Sequence, residues 1–119
     1  MQELEAAIKN AATEQEHINA LTTLAGALLH TDEVRALKLA DEAYERATSG
    51  TYLDKPYQKG LADSLYVQAR LKTQLSDYVT ATSLLVEALL LYLELGDRQG
   101  EAQVRFTIGG IHYYMGNFL

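Results

Sequence analysis

The 119-residue chain contains no cysteine and no tryptophan, and its only proline is Pro56. Without cysteine the chain cannot form disulfides or thiolate metal sites, and a reducing compartment is compatible with its composition. Alanine, leucine and glutamate are abundant, whereas valine and isoleucine are sparse. This mixture favours helices over strands. We therefore predict an all-α protein that forms one domain with a modest core.

Basic residues are also few. The chain has 10 Lys and Arg and 16 Asp and Glu, which gives a formal charge of -6. They are scattered, so no basic face is expected to bind a phosphate backbone, and we exclude nucleic acid as a partner. The apolar stretch around Leu84 to Leu95 is interrupted by Glu87 and Glu94 and is expected to be too short for a bilayer. No signal-peptide pattern follows Met1, which predicts a cytoplasmic protein without a membrane partner.

Motifs of catalysis are missing as well. The sequence has no glycine-rich phosphate loop, no nucleophile elbow and no metalloprotease helix. Glu14 and His17 have the spacing of a helical di-iron pair, but that site needs a second such pair, which the sequence lacks. We interpret His17 as a solvent-facing residue. No enzyme activity, catalytic residue, metal or cofactor is predicted.

The feature that stands out is an internal repeat. A set of residues in the middle of the chain reappears forty residues later, in the same order and without a gap. The set is Gly60, Ala62, Tyr66, Ala69, Leu71, Asp77 and Tyr78, and the counterparts are Gly100, Ala102, Phe106, Gly109, Ile111, Asn117 and Phe118. A less regular copy precedes both at a shift of 44 or 45 residues. Self-similarity at a fixed period is typical of stacked structural units.

Helix start and stop signals divide the chain into hairpins. Thr13 and Glu16 have the spacing of a capping box, and Asp32, Asp77 and Asp97 are further N-cap candidates. Helix ends are predicted at Gly50, near Leu75 and at Gly96, and Pro56 is placed in the first turn of a helix. The predicted organisation is an N-terminal helix over 1–12, a hairpin over 13–50, a hairpin over 56–96, and the first helix of an incomplete third hairpin over 97–119.

Within each unit a small residue on the first helix is followed by a turn and then by alanines on the second helix, as in Ala69, Ser76-Asp77-Tyr78, Ala81 and Ala88. Small residues allow two helices to cross closely. This pattern resembles the tetratricopeptide repeat, in the longer-period form of about forty residues found in bacterial signalling and regulatory proteins. The family's tryptophan is absent, since Leu65 and Arg105 occupy its positions.

The resemblance implies a right-handed solenoid of stacked antiparallel hairpins, whose inner wall is lined by the first helix of each hairpin. It further implies a scaffold module that binds a protein or peptide, within a larger bacterial signalling protein. The subtype that clamps chaperone carboxylates is set aside, because no lysine occupies the implied inner-wall positions of the last two units. The implied groove residues are Asn19, Thr22, Gly26, Leu29, Asp63, Tyr66, Arg70, Thr73, Gln74, Gln103, Phe106, Gly110, Tyr113 and Tyr114.

Two questions stay open at the level of sequence. Aromatic residues at helical spacing are typical of a core as well as of a binding surface, so Tyr66, Phe106 and Tyr113 have two interpretations. The unfinished third hairpin is expected to leave an apolar end. Either the chain is part of a longer protein, or two copies pair as a homodimer. The alternative hypothesis is therefore a homo-oligomerisation module that self-associates through its open C-terminal helix, at Ile108, Ile111, Tyr114, Phe118 and Leu119.

Overall fold

The computed structural model describes residues 1–48 and 56–116. These ranges contain helices and turns but no strand, which confirms the all-α prediction. The helices are α1 (Gln2–Lys9), α2 (Glu14–Ala27), α3 (Glu33–Ala47), α4 (Gln58–Gln74), α5 (Tyr78–Leu95) and α6 (Arg98–Tyr114).

Side-chain caps begin four of these helices at the predicted residues. The Thr13 hydroxyl accepts the Glu16 N–H at 3.1 Å, and a Glu16 carboxylate oxygen accepts the Ala12 N–H at 2.8 Å. Asp32, Asp77 and Asp97 each accept a backbone N–H from the residue three positions later. The break between α1 and α2 is therefore confirmed, and each cap satisfies a donor that the first helical turn leaves free.

The helix ends agree with the sequence in part. Gly96 ends α5 with a left-handed φ of 68°, as predicted. Gly50 lies outside the described residues, and the last residue of α3 is Ala47. The placement of Pro56 in a first helical turn is wrong, because Tyr57 is the N-cap of α4 and Pro56 precedes it. Tyr57 donates its backbone N–H to the Ala47 carbonyl at 2.8 Å. The residue after Pro56 is therefore bound to the end of α3, and α4 begins only after it.

The helices pack in a repeating order. α2 contacts α4 and α4 contacts α6, while α3 packs between α2 and α4, and α5 packs between α4 and α6. The junctions from α3 to α4 and from α5 to α6 are closed by equivalent backbone bonds, Tyr57 to Ala47 at 2.8 Å and Asp97 to Tyr92 at 2.9 Å. α1 packs on α2. The fold is thus all-α and repeat-like.

Small residues bring the helices together in the core. Ala36, Ala40, Ala43 and Ala47 give α3 a fully buried face, and Ala81 and Ala88 do the same on α5. Larger side chains fill the space between α4, α5 and α6, and these are Leu65, Leu85, Tyr92, Val104 and Ile111. Alanines at the crossings permit this dense packing.

The predicted exposure of Ile108 and Ile111 at an open end is wrong. Ile111 is only 2% exposed, and Ile108 is half-buried against the same cluster. Both follow Val104 on the side of α6 that faces α5, since residues at steps of three and four share one side of a helix. Tyr114 is exposed. Phe118 and Leu119 lie outside the described residues.

α5 begins after the predicted N-cap Asp77 and ends at the predicted Gly96. It is longer than the apolar stretch from Leu84 to Leu95, and among the described residues it is the one helix with the length and apolar composition needed to cross a membrane. The expectation that this segment is too short for a bilayer is therefore wrong. One side of it packs in the core through Ala81, Leu85, Ala88 and Tyr92. Its opposite side leaves Val79, Val86, Leu90 and Leu93 exposed.

Candidate functional site

A cavity of about 310 Å³ opens between α2, α4 and α6. Seven predicted groove residues line it, six from the three helices and Leu29 from the turn after α2, namely Thr22, Gly26, Leu29, Asp63, Tyr66, Arg70 and Gln103. The repeat alignment therefore selected residues that the fold brings together. The lining mixes hydroxyl, amide, aromatic and charged groups.

Arg70 contributes a positive charge to this cavity. The side chain is half-buried, and its Cζ atom lies 5.8 Å from the centroid of the Tyr66 ring. Within residues 1–48 and 56–116 the Arg70 guanidinium has neither an ion pair nor a hydrogen bond. The Tyr66 hydroxyl lies 3.4 Å from the Thr107 hydroxyl, so the ring also lies near α6. A ligand carboxylate would find five N–H donors on the guanidinium without displacing an acid of the described residues.

Lys59, Asp63 and Tyr92 form a second charged group at the same cavity. Lys59 Nζ lies 2.8 Å from Asp63 Oδ2, and the Tyr92 hydroxyl donates to Asp63 Oδ1 at 2.5 Å. Burial raises the pKa of Tyr92 far above its usual value, and the Asp63 charge adds to this effect. Burial acts to lower the pKa of Lys59, but the hydrogen bond and charge of Asp63 outweigh it, so this pKa lies above its usual value. The Asp63 carboxylate is thus already used to join α4 to α5.

Four polar residues of the cavity were not predicted from the sequence, namely Thr23, Lys59, Asp97 and Gln99. The conclusion that no lysine reaches the inner wall is therefore wrong. The sequence contained a signal for two of these residues. Lys59 precedes Asp63 by four residues and Gln99 precedes Gln103 by the same step, so each shares a helix side with a predicted groove residue. Asp97 was recognised only as an N-cap.

Some predicted groove residues are used inside the fold. Asn19 Oδ1 accepts the Tyr57 hydroxyl at 2.9 Å, and Thr73 Oγ1 donates to the Ala69 carbonyl at 2.9 Å. Gln74 Nε2 lies 3.0 Å from His30 Nδ1 and joins the C-terminal ends of α4 and α2. None of these three groove candidates lines the cavity.

Two of the three ambiguous aromatic residues lie away from the cavity. Tyr66 lines it, but Phe106 and Tyr113 do not. Phe106 is 84% exposed and Tyr113 is 68% exposed, so the core interpretation is wrong for both. They project from the side of α6 opposite Val104 and Ile111, because these pairs are separated by about half a turn of the helix.

Glu14 and His17 both lie against charged side chains of α3. Glu14 Oε1 lies 2.7 Å from Arg46 Nη1, which ties α2 to α3. His17 is half-buried rather than solvent-facing, and its Nε2 atom lies 3.8 Å from Glu42 Oε2. In the part of the chain that the structure describes, no group of three or more His, Asp or Glu side chains is placed to hold a metal ion.

No protein-family model matches this chain, and neither a curated protein nor a solved structure matches it. Its function must therefore be inferred from the cavity between α2, α4 and α6.

Proposed function

We propose that this chain is a tetratricopeptide-like scaffold module that binds a peptide segment of another protein in the cavity between α2, α4 and α6. The observation that carries the proposal is the convergence of seven residues from equivalent repeat positions on one cavity. Convergence of polar and aromatic side chains in a concave site is typical of a binding site.

The packing order supports a solenoid as the framework of this module. Two hairpins, α2/α3 and α4/α5, are followed by α6, and each second helix packs against the next first helix. The dimensions of 47 × 31 × 22 Å are compatible with an elongated stack. In such a stack, α2, α4 and α6 form one continuous wall, which suits an extended ligand. A regulatory role in a larger signalling protein, as the resemblance implies, is part of this proposal.

The chemistry of the wall favours a peptide with an acidic residue. Gln99 and Gln103 can donate to and accept from a peptide backbone, and Tyr66 offers a flat apolar surface. Arg70 supplies a guanidinium that pairs with no carboxylate of residues 1–48 or 56–116 and suits bidentate recognition. Lys59 lies nearby, but Asp63 already neutralises it. We therefore assign the preference for an acidic peptide residue to Arg70.

The test uses two synthetic peptide pools of otherwise random sequence, one with glutamate and one with glutamine at a fixed central position. We expect the protein to retain the glutamate pool preferentially. Arg70→Gln should weaken this retention about tenfold, since a hydrogen bond to a charged group contributes about 1.5–3 kcal/mol. Binding is measured by fluorescence anisotropy of the labelled pools.

Arg105→Gln is the matched control, because Arg105 is an exposed arginine outside the cavity that pairs with Glu101 at 2.9 Å. It removes the same charge from the molecule. Equal losses for Arg70→Gln and Arg105→Gln would show that only net charge matters and would contradict the proposed site. Absence of any preference for glutamate in the unmodified protein would contradict it too.

A further inference from the structure

One stripe of α6 is exposed although its composition is that of a contact surface. Its members, Ala102, Phe106, Gly109 and Tyr113, follow one another at steps of four, three and four residues, and we call them the α6 seam. Such spacing places side chains along one side of a helix, as in a coiled coil. The seam lies opposite the buried Val104 and Ile111, and none of its residues lines the cavity.

The repeat shows what this kind of stripe does elsewhere in the chain. Forty residues earlier, the corresponding residues of α4 are Ala62, Tyr66, Ala69 and Thr73. Ala62 and Ala69 are fully buried in one cluster with Ala81 and Leu85 of α5. α4 thus uses this stripe to bind an antiparallel helix. On α6 the same stripe is covered by no helix from residues 1–48 or 56–116.

The order of sizes along the seam is complementary to itself. Small and large residues alternate, and the four positions are symmetric about the midpoint between residues 107 and 108. In an antiparallel pair of α6 helices, Phe106 of one copy faces Gly109 of the other, and Ala102 faces Tyr113. A parallel pair would instead place ring against ring and glycine against glycine, which leaves voids.

Gly109 has room for such a ring. No heavy atom lies within 4 Å of the position that a Cβ on Gly109 would occupy. The charges beside the seam also permit pairing, because the flanking positions hold Gln103, Arg105, Gly110 and His112 and no carboxylate. Two copies that each carry a net charge of -6 would therefore not bring acids together at this contact.

We propose that two copies of this chain associate through antiparallel α6 seams, with Phe106 of each copy packed on Gly109 of the other. The seam spans about 17 Å at 1.5 Å per residue, which is short for a standard interface, so the dimer is weak and depends on concentration. This interaction does not require the proposed peptide site, since none of the four seam residues lines the cavity and the two surfaces meet only at the flanking Gln103.

Sedimentation velocity over a concentration series tests the association. For the unmodified chain of 13.2 kDa, the average mass should rise towards twice this value as concentration increases. Phe106→Glu should keep the protein monomeric. Gly109→Leu should raise the dissociation constant at least tenfold without loss of monomer stability, because the space is open and glycine is unfavourable inside a helix.

Val79→Glu is the matched control, since Val79 is an exposed apolar residue of α5 and the change adds the same charge. We expect it to dimerise like the unmodified chain. A monomer of the unmodified chain up to about 1 mM, the range of very weak complexes, would overturn the proposal. So would dissociation by Val79→Glu with Phe106→Glu unaffected, because the α5 surface would then be the interface.

Because the chain has no cysteine, introduced cysteines can test whether the two α6 helices run antiparallel. Ala102→Cys and Tyr113→Cys chains, when mixed and treated with a short bis-maleimide, should cross-link to each other. Ala102→Cys alone should not cross-link, because in the antiparallel pair its two copies lie about 17 Å apart along the helices. Cross-linking of each variant only to itself would overturn the antiparallel arrangement.

Discussion

At the scale of single residues, two glycines set how closely successive hairpins approach. A Cβ on Gly60 would lie 2.6 Å from Ile18 Cγ2, and a Cβ on Gly100 would overlap the Tyr92 ring. The two glycines are forty residues apart, at the same position of the repeat. Each stands where the first helix of a unit meets the unit before it. Their lack of a side chain is therefore a packing requirement.

We predict opposite effects for two alanine substitutions in α6. Gly100→Ala should lower the free energy of unfolding by roughly 1–3 kcal/mol, because the new methyl group overpacks the site against Tyr92. Gly110→Ala should raise it by about 0.5–1 kcal/mol, because its Cβ meets open space and alanine is the better helix former. Urea unfolding monitored by circular dichroism measures both. Similar changes for the two variants would contradict the close approach at Gly100.

The buried Tyr92 hydroxyl predicts a loss of stability in alkali. Its pKa is raised by burial and by Asp63, so above pH about 10 the unfolded chain loses this proton while the folded protein keeps it. The unfolded state then binds fewer protons, and the free energy of unfolding falls as pH rises, whereas below that pH the contribution is complete. We expect Tyr92→Phe to show a shallower fall between pH about 10 and 12 than the unmodified protein.

Urea unfolding at several pH values measures this slope. A second measurement follows tyrosinate absorbance of the folded protein during an alkaline titration. Because burial raises the pKa of Tyr92, Tyr92→Phe should leave the amplitude of this titration unchanged. A smaller amplitude in Tyr92→Phe would mean that Tyr92 ionises in the folded protein and would refute the predicted protection.

At the scale of elements, the helix starts were predictable because each depends on a short stretch of chain. Thr13, Asp32, Asp77 and Asp97 are local signals, and their bonds reach only three residues ahead. Pro56 was misplaced because proline is tolerated in a first helical turn and also just before one. The contact of Tyr57 with α3, which decided between these positions, is not local.

We predict that α1 is the least protected helix of the described chain. It has no buried residue and contacts the core only through the half-buried Leu4 and Ile8, whereas α4 has neighbours on several sides. Local opening costs least where few apolar contacts are lost. Hydrogen exchange followed by mass spectrometry should show α1 amides exchanging fastest among the helices and α4 amides among the slowest. Equal protection of α1 and α4 would contradict this ranking.

At the scale of the whole molecule, the packing of the helices separates two surfaces that look alike in sequence. Gln103 lines the cavity, while Phe106, three residues later, points outward from the seam. Each residue turns the helix by about 100°, so a small error in the assumed direction of the inner wall transfers an aromatic from one surface to the other. The surfaces also differ in chemistry, since the cavity is polar and charged and the seam is apolar.

By itself, the sequence determined the helical class, the starts of the capped helices and the existence of a repeat, because these depend on composition, short spacings and a fixed period. Only the tertiary structure decided that Ile111 is buried, that Asp63 is occupied by Lys59 and Tyr92, and that Arg70 pairs with no acid of the described residues. These outcomes depend on the angles and distances at which separate helices meet. Repeat spacing records which positions correspond, but it does not record which way each helix faces.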